Sequence, residues 1–232
     1  MNITHLKLYA ALSLVFALCV NPLSSYAVNF DNADAYYEDA LNLYQKKDFT
    51  TAIIQLKNAL QLDPKNLPAK ILLGESYLSA GEPEAAEVQL RRAREQGADE
   101  NLVAVPIANT LLNQQKYGEL KNYISRARRS PEVDSKLLVI LGIGYIQQRE
   151  YKEADLSFNK ARELNPDNPE PLLAQASLAL SEGDIDSVQV LVDLLRIISP
   201  DNPELWLLEG DLYSRRNKTD LALASYNKIP NT

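Results

Sequence analysis

The sequence predicts an all-α fold, a linear stack of six helical hairpins, and two observations carry that prediction. The first is a 34-residue period that runs without a gap from Ala33 to the end of the chain. The second is that small, aromatic and proline residues recur at fixed places of this period, as they do in solenoids built of repeats. The predicted units are 33–66, 67–100, 101–134, 135–168, 169–202 and 203–232.

The small residues indicate where the two helices of each hairpin approach each other. Helices pack closely only where the side chains at the contact are small. The eighth place of the repeat holds such a residue in every unit: Ala40, Gly74, Ala108, Gly142, Ala176 and Gly210. Large residues such as Leu90 and Phe158 stand between the small ones and are predicted to fill the core.

Proline-containing turns predict where second helices end. They stand at the ends of the first, fourth and fifth units, as Asp63-Pro64-Lys65-Asn66, Asn165-Pro166-Asp167-Asn168 and Ser199-Pro200-Asp201-Asn202. Proline lacks an N–H donor and disfavours helix at the residue before it. The third unit is degenerate, with Pro131 one residue early, but the fourth resumes in phase.

The period and its in-phase places resemble the tetratricopeptide repeat (TPR) family over the whole chain after the first residues. This resemblance implies a right-handed α-solenoid of six TPR hairpins. It also implies that the first helix of every hairpin lines a concave groove, chiefly through its second, fifth, ninth and twelfth places. Proteins of this kind are expected to act as interaction scaffolds.

The first 27 residues predict a secretory signal peptide. An apolar run from Leu8 to Val20 is too short to span a bilayer comfortably. Ser25-Tyr26-Ala27 then supplies the small residues of a cleavage site. We expect cleavage after Ala27, a short segment at 28–32 before the repeats, and a periplasmic or secreted protein. The alternative is an outer-membrane lipoprotein acylated at Cys19, although Leu18 is large where a small residue is needed.

Removal of this leader would leave a chain without imidazole or thiol groups. His5 and Cys19 are the only His and Cys of the sequence. Their loss excludes a Cys or His nucleophile and the usual zinc sites, so we predict no enzyme activity, no metal site and no cofactor. The net charge is −7, which loss of Lys7 would shift to −8, and such a surface suits neither nucleic acid nor anionic lipid. No stretch after the leader is long and apolar enough to be a transmembrane span.

The inner places of the repeats predict an apolar partner-binding groove. Its candidate residues are Tyr37, Leu41, Tyr44, Ile71, Glu75, Leu78, Val105, Asn109, Leu112, Val139, Ile143, Ile146, Leu173, Leu180, Leu207 and Asp211. The inner set is nearly free of bases, so an apolar helix or extended segment of a partner protein is the expected ligand. The alternative is that the fifth and twelfth places pack partly between neighbouring hairpins.

Arginines on the second helices of the second and third units predict a basic ridge on the outer face. They are Arg91, Arg92, Arg94, Arg126, Arg128 and Arg129. The ridge would dock an acidic partner such as an anionic polysaccharide. The alternative is that these cations simply complement helix dipoles at solvated helix ends.

The last hairpin has no polar capping helix after it in this sequence. Leu221, Leu223, Tyr226 and Ile229 are therefore predicted to be partly uncovered, and exposed apolar patches favour association. We expect this edge to pair with another subunit or protein.

Residues 35–99 resemble a narrower family, the PEP-CTERM system TPR-repeat lipoproteins. The residues that carry this resemblance are AIIQLKNALQLDPKN at 52–66, LLGESYLSAGEPEAAE at 72–87 and GAD at 97–99. The resemblance implies a role beside exosortase sorting and exopolysaccharide production. The alternatives are a pilus-assembly or outer-membrane adaptor, and an acidic-polysaccharide-binding protein that uses the arginine ridge.

Overall fold

The computed structural model describes residues 32–126 and 129–230, and all regular secondary structure in these ranges is helical. The predicted leader, its cleavage site and Cys19 lie outside the described residues. Twelve helices follow one another: α1 Ala33–Gln45, α2 Phe49–Leu62, α3 Leu67–Ser79, α4 Pro83–Glu95, α5 Glu100–Asn113, α6 Tyr117–Arg126, α7 Pro131–Gln147, α8 Tyr151–Leu164, α9 Glu170–Glu182, α10 Ile185–Ile198, α11 Pro203–Arg215 and α12 Thr219–Tyr226. The predicted all-α solenoid is confirmed.

The helices form two layers. Each odd-numbered helix packs on the even-numbered helix that follows it, and consecutive odd-numbered helices also contact one another. Among the described residues, no two consecutive even-numbered helices bring Cα atoms within 8 Å. Because the odd-numbered layer is the tighter one, the stack bends with α1, α3, α5, α7, α9 and α11 on its inner side.

The turn inside each hairpin has a common backbone conformation. The fifteenth place of every unit has a positive φ, at Lys47, Gly81, Gln115, Arg149, Gly183 and Asn217. Only glycine adopts this left-handed conformation without a steric cost, which is about 1 kcal/mol for other residues. Helix packing therefore outweighs local preference in the hairpins that carry Lys, Gln or Arg there.

The proline-containing turns end one helix and begin the next. Helix α2 ends at Leu62, just before the first of these turns, and the side chain of Asn66 then caps α3 by accepting from the N–H of Ala69 at 2.9 Å. Asn202 caps α11 in the same way. One short motif thus satisfies backbone groups at two helix ends.

The third and fourth hairpins depart from the predicted boundary at Ser135. Helix α6 has only 10 residues, and α7 begins at Pro131, four residues before that boundary, and has 17 residues. Ser130 explains the early start, because its hydroxyl accepts from the N–H of Val133 and Pro131 occupies the first helical position. Elsewhere the helices keep the register of the repeat.

Small and large residues interlock inside each hairpin. A Cβ placed on Gly142 would lie 2.3 Å from Cε1 of Phe158, and one on Gly210 would lie 2.1 Å from Cε1 of Tyr226. The eighth place thus faces the twenty-fourth place of the same unit, and glycine there admits an aromatic ring. Phe158 is fully buried as a result. In the described part of the chain, no helix is both long and apolar enough to cross a membrane.

Candidate protein-binding groove

The inner layer contains a groove of about 410 Å³ between α5, α7, α9 and α11. Five of the predicted groove residues line it: Val105, Asn109, Val139, Ile143 and Leu173. They come from three consecutive repeats, so the stacking brings together residues 34 positions apart. That these residues bind a partner stays a prediction.

Charged side chains line the groove beside this apolar floor. Lys136, Glu170 and Glu204 occupy the second place of three consecutive units and all line the groove. Ser177, which is exposed, and Ala174 leave space on the side of α9. The groove therefore offers an apolar contact surface with one cation and two carboxylates at its rim.

Part of the predicted strip belongs to the hydrophobic core. Leu112, Val139 and Leu173 are only 7%, 7% and 8% exposed, and they pack inside the clusters that join neighbouring hairpins. Ile71 and Val105 are half-buried against the same core. The alternative weighed from the sequence therefore holds for these places, and only their outer surfaces are available to a ligand.

The first two hairpins continue the inner face with half-buried side chains. Tyr37, Leu41, Tyr44, Ile71, Glu75 and Leu78 are neither fully buried nor exposed. Burial raises the pKa of Glu75, and burial together with the Glu38 and Glu75 carboxylates raises the pKa of Tyr37. Glu75 makes no hydrogen bond or ion pair with another described residue.

The last hairpin presents more of its inner side chains. Leu207 is 47% exposed. In contrast, Ile146 packs against the core of the fourth and fifth hairpins, and Leu180 packs against the core of the fifth and sixth. Asp211 accepts a hydrogen bond from the hydroxyl of Tyr226 at 2.7 Å, which, together with burial, raises the pKa of Tyr226 to about 12. Asp211 is thus engaged within its own hairpin.

The predicted basic ridge is broken up by local contacts. Arg91 donates to Glu87 at 2.6 Å and to Glu119 at 3.5 Å. The guanidinium of Arg94 lies 5.6 Å from the centre of the Tyr123 ring. Arg92 remains exposed, while the side chain of Arg126 and the whole of Arg128 lie outside the described residues.

Arg129 does not belong to an exposed ridge, which corrects the sequence prediction. Its side chain is only 1% exposed. Its Nε donates to Asp134 at 2.7 Å, it donates to the carbonyl of Ile124, and its guanidinium lies 5.7 Å from the centre of the Tyr123 ring. Asp134 lies in the first turn of α7, so the early start of that helix brings its carboxylate to the arginine. Its Nη1 has no hydrogen-bond partner among the described residues.

Sequence reasoning missed a second groove, on the outer layer between α8 and α10. Its signal was present in the fifth unit, where Leu194 and Ile197 replace residues that are polar in the other units. In the described part of the chain, no three His, Cys, Asp or Glu side chains are arranged to hold a metal ion.

Comparisons with known proteins agree with this architecture. A family model described as tetratricopeptide repeat matches residues 37–105. The type IV pilus assembly protein PilF of Pseudomonas aeruginosa is 26% identical over 165 residues, which are 70% of this chain and 65% of that protein. The chain thus spans slightly less than two thirds of that relative's length.

Two solved structures share the fold. One, from a functional characterisation of Pseudomonas aeruginosa PilF, superposes with a TM-score of 0.61 at 24% identity, over 83% of this chain and 88% of that chain. The other is PilW, described as a widely conserved type IV pilus biogenesis factor, with a TM-score of 0.64 at 16% identity, over 83% of this chain and 90% of that chain.

The fold is that of a tetratricopeptide repeat solenoid, and the family model for this repeat matches part of it, residues 37–105. Within that class, the chain is similar to PilF-type and PilW-type proteins.

Proposed function

We propose that this protein is an exported, non-enzymatic scaffold that binds an apolar segment of a partner protein along its inner groove. The observation that carries the proposal is the meeting of Val105, Ile143 and Leu173, from three consecutive hairpins, in one groove of about 410 Å³. Repeat stacking orders this surface before any ligand arrives, which lowers the entropic cost of binding. A helix or strand with alternating apolar side chains suits such a surface.

The setting we propose is type IV pilus assembly. The similarity to PilF over 165 residues supports it, as does the shared fold with PilW. The role in exopolysaccharide production and exosortase sorting, expected from residues 35–99, has only that local resemblance behind it. We therefore place it second.

The polysaccharide-binding alternative has less support. It requires free arginines on the outer face, but Arg91 is paired with two glutamates and Arg129 is buried. Of the described ridge residues, only Arg92 is fully exposed. A single exposed arginine is a weak basis for binding a polyanion.

A groove-blocking substitution tests the binding proposal. Ser177→Arg places a long charged side chain into the groove from an exposed position, whereas Val139, at 7% exposure, could not be changed without damage to the core. We expect a photo-crosslinking residue at Asn109 to capture a discrete partner in the native host. Ser177→Arg should reduce that product about tenfold, which corresponds to about 1.4 kcal/mol.

The matched control is Ser125→Arg, the same change at an exposed serine of the outer layer. It should leave crosslinking at Asn109 unchanged, and circular dichroism should show both variants folded. If Ser177→Arg leaves the amount of crosslinked partner unchanged, the groove proposal is contradicted.

The pathway is tested separately by deleting the gene in its host. Surface pili recovered by shearing should fall, and expression of the wild type or of Ser125→Arg should restore them, but Ser177→Arg should not. Normal piliation after deletion, together with a groove crosslink to another envelope protein, would refute the pilus role and leave the scaffold role standing.

A further inference from the structure

The outer layer of the fourth and fifth hairpins carries a long open groove. Helices α8 and α10 form its walls and α9 forms its floor. Two adjacent hollows of about 980 and 490 Å³ share the lining residue Asn159. Gln175 donates to Asp155 and Asn159, so polar side chains stand where the two hollows meet. Helix α10 has 14 residues, which at 1.5 Å per residue gives a groove about 21 Å long. This is the length of a helix of about four turns.

An exposed apolar stripe runs along α10. Val190, Leu194 and Ile197 are 61%, 37% and 77% exposed, and their spacing of four and three residues places them on one face of the helix. Leu156 on α8 is 60% exposed and lines the same groove. The stripe is therefore a continuous apolar surface rather than scattered single residues.

Two of the three stripe positions are peculiar to the fifth hairpin, whereas the place of Val190 is also apolar in other units, as Ile54, Val88 and Leu156. Leu194 and Ile197 stand at the twenty-sixth and twenty-ninth places of the repeat. In the other units these places hold amides and charges: Asn58, Arg92, Arg126, Lys160 and Lys228 at one, and Gln61, Glu95, Arg129, Glu163 and Asn231 at the other. Apolar residues at both of these places therefore occur in the fifth unit alone.

The comparable groove between α4 and α6 is closed by its own side chains. It measures about 390 Å³, and the pair Arg91–Glu119 crosses it at 3.5 Å. Arg94 also reaches over it to the ring of Tyr123. Across the groove between α8 and α10, the described residues form no ion pair, so its apolar walls stay open to a ligand.

Charge distinguishes the two ends of the open groove. Glu182, Asp184 and Asp186 are exposed at the end where α10 begins. Lys152 lines the groove there, and Arg216 of the last hairpin lies 3.8 Å from Asp186. Hydrogen bonds from the hydroxyl and backbone N–H of Ser187 hold the pKa of Asp184 below its usual range, so this carboxylate stays ionised. The other end, around Leu194 and Ile197, is mostly apolar and carries one cation and one acid, Arg162 and Glu163.

We propose that this outer groove binds an amphipathic helix of a partner protein. The apolar face of that helix lies on Leu156, Val190 and Ile197, and lysines or arginines at its carboxyl-terminal end lie over the Glu182–Asp186 acids. It runs antiparallel to α10, because cations at the end of a helix complement its own dipole and here also meet the acids. An anionic bilayer would be repelled by the same acids. The site lies on the opposite layer from the inner groove and does not depend on it.

The probes are two labelled peptides of about 16 residues, the length that fills the groove. Both carry a leucine stripe at helical spacing, and they differ only in three carboxyl-terminal residues, which are Lys in one and Glu in the other. Fluorescence anisotropy with the full chain should show binding of the Lys peptide. The Glu peptide should bind at least tenfold more weakly.

Three variants locate the site. Ile197→Glu installs the residue that the fourth hairpin carries at the same place, Glu163, and should weaken the Lys peptide at least tenfold. Ile54→Glu makes the same change at another exposed isoleucine of the outer layer, 54% exposed, and should have no effect. Ser177→Arg, which blocks the inner groove, should also leave the affinity unchanged.

Three outcomes would overturn the proposal. One is equal affinity for the two peptides or an affinity that Ile197→Glu does not alter. Another is flotation with phosphatidylglycerol vesicles that Ile197→Glu abolishes, which would assign the surface to a membrane. The last is a dimer of the full chain that Ile197→Glu dissociates, which would assign it to a second copy.

Discussion

A glycine at the eighth place of a unit acts as a socket for the residue at the twenty-fourth place. Gly74, Gly142 and Gly210 face Leu90, Phe158 and Tyr226, while units with alanine there carry Leu56, Ile124 and Val192 at the facing place. The sequence showed that the eighth place had to be small. It did not show which large side chain fills it, because that depends on how the two helices are rotated against each other.

Gly142→Ala should therefore destabilise the protein, although alanine is the better helix former by up to about 1 kcal/mol. The new Cβ would lie 2.3 Å from the buried ring of Phe158, and overpacking of this kind costs about 1–3 kcal/mol. Urea unfolding should show a lower free energy of unfolding.

The matched control is Gly118→Ala, since a Cβ at this helical glycine meets no atom within 4 Å. It should be neutral or stabilising. In a Phe158→Val background, the cost of Gly142→Ala should shrink, and a cost that is independent of residue 158 would show that the ring is not its cause.

Polar contacts add to the apolar clusters that join neighbouring hairpins. Glu87 of α4 accepts from Gln114 at 2.8 Å and Lys116 at 2.9 Å, in the turn between α5 and α6, and from Arg91 of its own helix. Burial alone would raise the pKa of Glu87, but hydrogen bonds from Lys116, Gln114 and Arg91 outweigh it and lower the pKa from 4.5 to about 2. This carboxylate thus ties the second hairpin to the third.

The contribution of Glu87 should depend on pH. Because its pKa is lower in the folded state, its stabilisation is complete above about pH 4.5 and is lost as the pH falls toward 2. We expect Glu87→Gln to lower the free energy of unfolding by about 2 kcal/mol at pH 7 and by almost nothing near pH 2. Denaturant unfolding across this range measures the difference.

Glu84→Gln serves as the comparison, since Glu84 is exposed and forms no ion pair with a described residue. Its effect should stay within about 0.5 kcal/mol at either pH. An equal loss for Glu87→Gln at pH 7 and pH 2 would argue against the ionic contribution.

The sequence predicted the features of the helices that depend on local contacts, but not those that depend on contacts between helices. The helix ends at Leu62, Leu164 and Ile198 followed from local proline turns, and they agree with the structure. The burial of Arg129 did not follow, because it needs Asp134 and Tyr123 to meet around an irregular turn. Periodicity places a residue on a face of its helix but cannot report that a helix has stopped early.

The two layers of the array give it two distinct surfaces. The inner groove was predictable because it repeats every 34 residues, whereas the outer groove arises from departures from the repeat in a single unit. Regular places therefore predict architecture and shared function. The irregular ones, such as Leu194 and Ile197, indicate what is particular to this chain.

The last hairpin should allow self-association. Leu221 and Leu223 of α12 are 46% and 55% exposed, and no further described hairpin covers them. We expect the mass from light scattering to rise with concentration from about 1 µM to about 1 mM, as mass action requires. Leu223→Lys should suppress that rise. The matched control is Val88→Lys, at another exposed apolar residue, and a constant monomer mass for the wild type would contradict self-pairing.

Each glycine and the side chain it admits belong to the same hairpin. The left-handed turn that joins the two helices also lies within one hairpin. Gain or loss of a whole 34-residue unit by gene duplication or deletion would leave every such fit intact, and only the junction between two units would have to be accommodated. A change of another length between the eighth and twenty-fourth places of a unit would separate that unit's glycine from the side chain it admits. Evolution can therefore alter the reach of this protein in steps of one hairpin while preserving the surfaces that the remaining units carry.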